Sequence, residues 1–318
     1  MQVTYGLDDA PDGVQRVVTV GAFDGLHIGH QYLIRRTAAE AATRGMESAV
    51  LTFEPIPHEF FSSPGHRRVR LTTRDERIEL MSDIGVDHLV FAEFTEALSQ
   101  LSADEFARDV LHEKLNVSVL VASRNHHLGA SAEADIDDIR QLGRQYGFDL
   151  LVTPLVSLDG VRISSTQIRQ HLNEGNVSQA AALLGRCYGL GGEVVTGHGR
   201  GRTLGYPTAN IAPPANKVIP AQGVYAAFVD GAGVACAANG RPRPCPAAVH
   251  IGPQPTFDDP EPTIEVFIHT DKPLDLAGSH LDIRLVRRLR DIKDFDTPED
   301  LSEQIGRDVK AIRRFLGG

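Results

Sequence analysis

The chain has 318 residues, 42% hydrophobic and 23% charged, with a formal net charge of −10 at pH 7. That is the balance of a globular protein with room for two cores. It argues against a nucleic-acid-binding protein, whose footprint is a basic face, and no apolar run approaches membrane-spanning length. The opening MQVTYGLDDAPDG is too polar and acidic for a signal peptide. Cys187, Cys236 and Cys245 form neither a metal pattern nor an even disulfide set, so reduced thiols in a cytoplasm are expected. In chain order, VVTV from Val17 predicts a buried strand, GAFDG a sharp turn, and the segment after HIGH a helix that stops at Gly45. A strand follows from about Ser48 to Phe53, then a helix starting near Thr73 with Asp75 and Glu76 in its first turn, and a strand in DHLVFAEF. SADEFARDVLHEKLN reads as a helix with a Ser102/Glu105 capping box, and VSVLVAS as a strand. AEADIDDIRQLGRQYG reads as a helix, and FDLLVTPLV as a strand. Alternating strands and helices imply a parallel sheet covered on both faces, with ligands at the carboxyl ends of its strands.

ISSTQIRQHLNEGN then predicts a helix capped by Ser164, Ser165 or Thr166, and a further short helix ends at Gly185. The domain boundary is placed near Gly185 to Tyr188, where the texture changes. GVYAAFVD, ACAANG, AAVHIG, PTIEVFIH and HLDIRLVRRLR are strand-length runs between Gly/Pro/Asp turns, the spacing of a small antiparallel barrel. TPEDLSEQIGRDVKAIRRFL closes the chain as an amphipathic helix, with Thr297 as cap and Pro298 at its first position. Its apolar stripe is Leu301, Ile305, Val309, Ile312 and Leu316.

Three strings carry chemistry. His27 and His30 flank Gly29 at the start of a helix, where free N–H groups and a partial positive charge seat phosphate. Taken alone, such a pair is as readily polar surface, and a zinc reading lacks further ligands. GHGRGRTLGYPTAN, Gly197 to Asn210, is glycine-dense but is no P-loop, since the G-K-[ST] end is missing. Thr208 and Asn210 are hard oxygen donors two apart, facing one way in an extended stretch. Glu265 stands between apolar Ile264 and Val266, a pattern that fits a solvent-facing strand residue as well as a catalytic carboxylate.

The strings also resemble, in one order over nearly the whole chain, those of the bacterial bifunctional riboflavin kinase/FAD synthetase family. The G-x-F-D-G-x-H-x-G-H form from Gly21 to His30 resembles the adenylyltransferase half of that family, and ISSTQIR its second nucleotide motif. PTAN resembles the flavokinase motif, GPQPTF its GxxPTF loop, and the end of RLVRRLRDIKDF the segment bordering its flavin. The resemblance implies an α/β nucleotidyltransferase-type, Rossmann-like HxGH domain over 1–185 and a small antiparallel β-barrel riboflavin kinase domain with a C-terminal helix over 186–318. The partners it implies are ATP, riboflavin, FMN and FAD, with Mg²⁺ as cofactor and neither nucleic acid nor membrane. It makes His27, His30, Asn125 and Arg169 catalytic in adenylyl transfer, and Gly21, Phe23, Asp24, Gly29, Ser164, Ser165 and Thr166 nucleotide-binding. In the second half, Gly199, Gly201, Thr208 and Asn210 would bind ATP, with Thr208 and Asn210 on Mg²⁺ and Glu265 as catalytic base.

The chain departs from the family in places. The G-x-[DN]-F-x-F-G string is here Ser123 to Gly129, with His126 and Leu128 in place of both phenylalanines. Phe267, Thr270, His250 and Ala277 also replace residues usual in the kinase half. Two other readings follow: one activity lost or turned to an altered flavin acceptor, or a flavin-nucleotide-binding regulator without turnover.

Overall fold

Six parallel strands in the order β1-β4-β3-β2-β5-β6 form the first sheet of the computed structural model. The structure describes residues 1–9, 13–62, 69–195, 208–231, 234, 236–238, 241–252, 262–268 and 276–316. Gly199 and Gly201, most of the GPQPTF loop and Thr270 lie outside these residues.

The strands are β1 (Gln2–Tyr5), β2 (Arg16–Val20), β3 (Glu47–Glu54), β4 (His88–Glu93), β5 (Val117–Ser123) and β6 (Asp149–Thr153). Between them run α1 (Ile28–Arg44), α2 (Pro57–Phe60), α3 (Arg74–Ile84), α4 (Glu96–Ser99), α5 (Ala103–Glu105) and α6 (Ile136–Tyr146). β1 extends the sheet beside β4, in a stretch the sequence reading passed over as merely polar. The period of two sorts the strands onto two cores. Val17, Val50, Leu89, Phe91, Val119 and Val121 pack with Leu33, Ile34 and Met81 of α1 and α3. Val18, Val20, Leu51, Val90 and Leu120 pack with Phe106, Val110 and Ile139 on the other face. Each such buried side chain contributes roughly 1.5–3 kcal/mol.

The helix starts are as the caps predict. Thr73 and Ser102 each close a capping box, with Glu76 and Glu105 respectively. After α5 the chain widens into a π-helix, Phe106–Lys114, in which the Leu115 N–H reaches the Val110 carbonyl at 3.0 Å. A short hairpin, β7 (Ser157–Leu158) and β8 (Val161–Arg162), precedes α7 (Ser165–Asn173) and α8 (Val177–Leu184).

Packing groups the chain into two compact units that meet at Ser165/Thr166. The Ala221 N–H donates to the Leu172 carbonyl at 2.9 Å, and the Ser178 hydroxyl to the Val286 carbonyl at 3.1 Å. So α7 and α8 belong with the second unit.

That unit is a closed barrel. β10 (Gly192–Val195), β11 (Thr208–Ala212), β16 (Thr263–Ile268), β15 (Cys245–Gly252), β12 (Gly223–Gly231) and β17 (His280–Arg290) follow one another, and β17 pairs back onto β10. β9 (Tyr188–Gly189) adds to β17, and β13 (Cys236–Ala238) pairs with β14 (Arg241–Arg243). Val249, Ile251, Ile264, Val266, Ile283 and Leu285 fill the interior, alternating with residues that face outward. α9 (Pro298–Leu316), its Asp300 N–H capped by the Thr297 hydroxyl at 3.1 Å, lays Val309 and Ile312 against Ala248 and Phe267. Cys187 is a free thiol, whereas Cys245 is disulfide-bonded, against the expectation of three reduced thiols.

Candidate functional site

β2 ends at Val20 and the chain turns sharply through the next residues. Phe23 and Leu26 take left-handed backbone angles, φ 49° and 37°, which side chains of their size rarely adopt. Both are fully buried, so packing holds the loop in this shape. Gly21 completes the fit, since a Cβ there would stand 3.1 Å from the Phe23 ring. The buried Asp24 carboxylate accepts from the N–H groups of Leu71 (2.9 Å) and Thr72 (3.1 Å) and from the Thr72 hydroxyl (3.2 Å). Gly21, Phe23 and Asp24, expected to bind nucleotide, are therefore the residues that shape the loop, and none of them lines the cavity it borders.

His27 caps α1: its Nδ1 accepts from the His30 backbone N–H at 3.1 Å. In the neutral ring this leaves the proton on Nε2. The His30 ring stacks on it, centroids 3.5 Å apart and planes 18° apart, and meets the Phe23 ring edge-on at 5.3 Å. A Cβ on Gly29 would stand 3.1 Å from the His27 ring, so the missing side chain makes room for the imidazole as well as for a ligand. Burial, and then the neighbouring His27, hold His30 well below the usual histidine pKa. Its ring is neutral at pH 7, and among the described residues its buried Nδ1 has no hydrogen-bond partner.

A cavity of about 250 Å³ opens beside the two rings. His27, Gly29 and His30 line it after β2, Ser123 and Asn125 at the end of β5, and Thr153 to Val156 at the end of β6. This is the point where the strand order reverses, because the chain runs from β2 out to β3 and β4 and then crosses to β5. Arg162, Ser164 and Ser165 complete the lining. The Ser123 hydroxyl donates to the Asn125 side-chain carbonyl at 3.1 Å, leaving the Asn125 amide N–H groups to a ligand. α7 begins at Ser165, whose hydroxyl donates to the Asp24 carbonyl at 2.8 Å, so the ISST string is tied to the GAFDG loop. The start of α1, rich in free N–H groups, thus borders the cavity, an arrangement suited to phosphate. Thr166 and Arg169 lie further along α7 and belong to the second unit. The sequence reading missed Arg162 and the Thr153–Val156 wall. Their signals were an arginine just before ISST and a strand that stays apolar to its carboxyl end.

Of the SRNHHLG departures, Ser123 lines the cavity, whereas His126 and Leu128 fall outside its lining. Leu128 is buried in the core that holds Phe106 and Ile139. His126 is half-buried, its shielded Nε2 without a partner among the described residues and its pKa lowered to about 4 by burial and then by His127. One strand along the same sheet edge, β3 leads into α2, and Phe61 just beyond it is 67% exposed. Its ring meets Phe60 edge-on at 5.2 Å and Phe94 at 5.8 Å. Arg70 fixes this segment by binding Glu59 at 2.7 Å and Glu54 at 3.2 Å. The buried Arg77 also bonds Glu54 and donates to the Phe53 carbonyl at 3.1 Å. This aromatic corner, too, was missed; its signal was the Phe60-Phe61 pair shortly after LTFEP.

The second unit carries its chemistry on strands. Asn210 on β11 lies opposite Glu265 on β16, and Glu265 opposite His250 on β15. The row continues through Val224 on β12 to Arg290 on β17. Ile264 and Val266 point into the barrel, so Glu265 points outward, half-buried, with Asn210 and His250 beside it. Thr208 lies two residues before Asn210 on the same face. The pair and the neighbouring carboxylate make an all-oxygen set of hard donors, which fits Mg²⁺. No hydrogen bond or ion pair with another described residue engages the Glu265 carboxylate. Gly199 and Gly201, expected to cradle phosphate here, lie outside the described residues.

A cavity suited to phosphate at the switch point of a parallel sheet, in one chain with a barrel whose Glu265 has no partner among the described residues, fits the class of ATP-using transferases with a nucleotidyl and a phosphoryl half. Residues 10–167 match the FAD synthetase family and residues 184–316 the riboflavin kinase family. The bifunctional riboflavin kinase/FMN adenylyltransferase of Escherichia coli (strain K12) is 35% identical, over 100% of this chain and 98% of its own. The protein of the same name from Pseudomonas fluorescens is 34% identical, over 98% and 97%. A crystal structure titled a macrolide-efflux protein from Streptococcus pneumoniae superposes with a TM-score of 0.87 at 29% identity, over 98% of this chain and 99% of that one. Among the described residues of the present chain no helix is long and apolar enough to cross a membrane. The chain belongs to the bifunctional riboflavin kinase/FMN adenylyltransferase family.

Proposed function

We propose that this enzyme makes FAD in two ATP-dependent steps: its second unit phosphorylates riboflavin to FMN, and its first unit transfers AMP from ATP to FMN, releasing pyrophosphate. The observation that carries the first half is the switch-point cavity with stacked His27 and His30 at a helix start. In adenylyl transfer an oxygen of the FMN phosphate attacks the α-phosphorus of ATP, and the bond to the bridging oxygen of pyrophosphate breaks. The attacking phosphate is already ionised, so no general base is required. The chain has only to position the reactants and to meet charge with donors. His27 Nε2–H, the Asn125 amide and the helix-start N–H groups are such donors, and the neutral His30 supports the His27 ring by stacking. Phe61, at the same sheet edge one strand over, is suited to stacking on the flavin ring.

Riboflavin phosphorylation differs, because its nucleophile is a hydroxyl. Glu265 takes the proton from the ribityl hydroxyl as that oxygen bonds to the γ-phosphorus of ATP and ADP leaves. Thr208 and Asn210, in register with β16, would hold a Mg²⁺ ion beside it. When bound, Mg²⁺ neutralises phosphate charge in both sites. ATP and flavin of the cytoplasm are the substrates. The roles that the resemblance gives Thr166 and Arg169 rest on that resemblance.

The test is chromatography over time of the protein with ATP and Mg²⁺, starting from riboflavin and, in parallel, from FMN. FMN appearing first and FAD later is the expected result. FMN that accumulates without FAD, even from added FMN, overturns the adenylyl-transfer half. FAD from FMN without any riboflavin phosphorylation overturns the kinase half. Chelation of the metal should stop both conversions, and persistence of either removes Mg²⁺ from that site.

A further inference from the structure

The segment that carries Phe61 is held by a strut of buried charge. Glu59 lies on α2, two residues before Phe61, and Glu54 closes β3. Arg70 reaches both carboxylates. Its Nε donates to Glu59 at 2.7 Å and its Nη1 to Glu54 at 3.2 Å, and its Nη2 is shared between the two. Arg70 is only 4% exposed, and a planar guanidinium is the side chain that can bridge two carboxylates at once. Glu54 is fixed in turn: Arg77 bonds its carboxylate, and its backbone carbonyl accepts from the Phe94 N–H at 3.0 Å. The Phe61 N–H donates to the Pro57 carbonyl at 3.0 Å, so Phe61 rides on α2. Arg70 therefore ties α2, and with it Phe60 and Phe61, to the strand end that holds Phe94.

We propose that Arg70 is a positioning residue for adenylyl transfer, which holds the Phe61 ring at the sheet edge in the place where it stacks on the flavin of FMN. The inference rests on Phe61 being the flavin platform. The guanidinium is buried and occupied by Glu54 and Glu59, so it acts through α2 and not on a substrate. A helix of four residues has little stability of its own. Without the cation, the Glu54 and Glu59 carboxylates repel each other and push α2 off the strand end. An aromatic contact needs the two rings at a set distance and tilt, and a ring already in place loses less freedom when the flavin arrives. The nucleotide side is held differently. The next residues, Leu71 and Thr72, bond Asp24 through their backbone N–H groups at 2.9 and 3.1 Å, and these ties do not depend on the Arg70 side chain. Loss of the strut therefore weakens the hold on flavin and spares the hold on ATP.

The experiment uses the full chain and measures FAD formation, with kcat and the KM values for FMN and for ATP, for wild type, R70K, E59A, F61A and the double variant R70K/F61A. Lysine keeps the charge but grips one carboxylate rather than two. E59A frees α2 while leaving Arg70 paired with Glu54, and it takes the place of R70K, in the double variant too, if R70K does not fold. Both R70K and E59A should raise the KM for FMN by roughly two- to tenfold, the range for loss of one aromatic contact. The kcat and the KM for ATP should stay within about twofold of wild type, the mark of lost binding alone. Because Arg70 acts through Phe61, the double variant should show the KM of F61A alone. An unchanged KM for FMN in R70K and E59A overturns the proposal. So does a joint change in kcat and both KM values, which is what a loosened fold would give, or a double variant whose effects multiply. F61A separates this result from the reading beneath it. If F61A raises the KM for FMN and R70K and E59A do not, only the Arg70 inference falls. If F61A leaves that KM unchanged, Phe61 is not the flavin platform and both fall.

Discussion

The two halves of this chain handle the same co-substrate with opposite materials. The first unit builds its site from a helix start, two stacked imidazoles and amide donors, and the described lining of its cavity contains no carboxylate. The second places a carboxylate in a row across adjacent strands, with an asparagine on one side and a histidine on the other. The nucleophile explains the difference. A phosphate oxygen is ionised before the reaction begins, and a carboxylate nearby would only repel it. A hydroxyl must give up its proton as it attacks, and a carboxylate is the group that takes it. The scaffolds suit these tasks. A helix start supplies several N–H groups converging on a point, while a ladder sets three side chains at fixed spacing along one face.

The sharpest way to break this contrast is to remove the base. E265Q should lower riboflavin phosphorylation by about 10²–10⁴-fold, the range for loss of a general base, while FAD formation from FMN is unchanged. A kinase that survives this change would make both halves positioning devices. The reciprocal change is H27N. Asparagine is a good N-cap, so α1 keeps its start, but the Nε2–H donor is gone. FAD formation should fall by about 10²-fold, the cost of one preorganised donor, with phosphorylation of riboflavin intact. If H27N synthesises FAD at the wild-type rate, His27 is only a helix cap.

A third change tests what the loop residues do. Asp24 was expected to touch nucleotide, yet its carboxylate is occupied by Leu71 and Thr72. D24A should therefore act first on stability, costing roughly 2–4 kcal/mol for buried donors left without an acceptor. On heating, FAD formation should fail at a lower temperature than in wild type, while riboflavin phosphorylation fails where it did before. Unchanged heat resistance with a raised KM for ATP would return Asp24 to the nucleotide.

Much of this was legible beforehand, for identifiable reasons. Apolar runs at period two and helix caps such as Thr73, Ser102 and Thr297 are local, so strand and helix starts could be read directly. His27, His30, Asn125 and Ser165 could be brought together because each follows a strand at the same sheet edge. What could not be read was which polar residues turn inward. Asp24 and Phe23 sit in the same string as His27, and only the position of Leu71, forty-seven residues on, shows that Asp24 faces away. The packing of α7 and α8 was hidden likewise, since their ties run to Ala221 and Val286, far along the chain. Leu128 shows the same limit. Its replacement of an aromatic suggested a reshaped flavin pocket, but the side chain lies in the core.

The smallest expected effect concerns acid, and it also separates the halves. In the first unit burial depresses three histidines. His126 goes to about 4, His30 well below its usual value, and His88 is lowered where its ring contacts Thr4 at 2.7 Å and Glu47 at 3.0 Å. Among the described residues of the second unit, His250 is the one histidine so shifted. A histidine whose folded pKa lies below its unfolded value binds more protons when unfolded. Its neutral form is therefore tolerated above about pH 6.5, and stability is lost as the pH falls below that. For His126 the loss is about 1.4 kcal/mol per pH unit until its own pKa is reached. His126 also leaves a buried ring nitrogen without a partner among the described residues. H126F removes both penalties, so it should raise stability slightly at pH 7 and more at pH 5, flattening the acid slope of the transition at which FAD formation is lost. An H126F slope equal to that of wild type would mean that His30 and His88 carry the acid response, and that His126 takes up no more protons on unfolding than it holds in the fold.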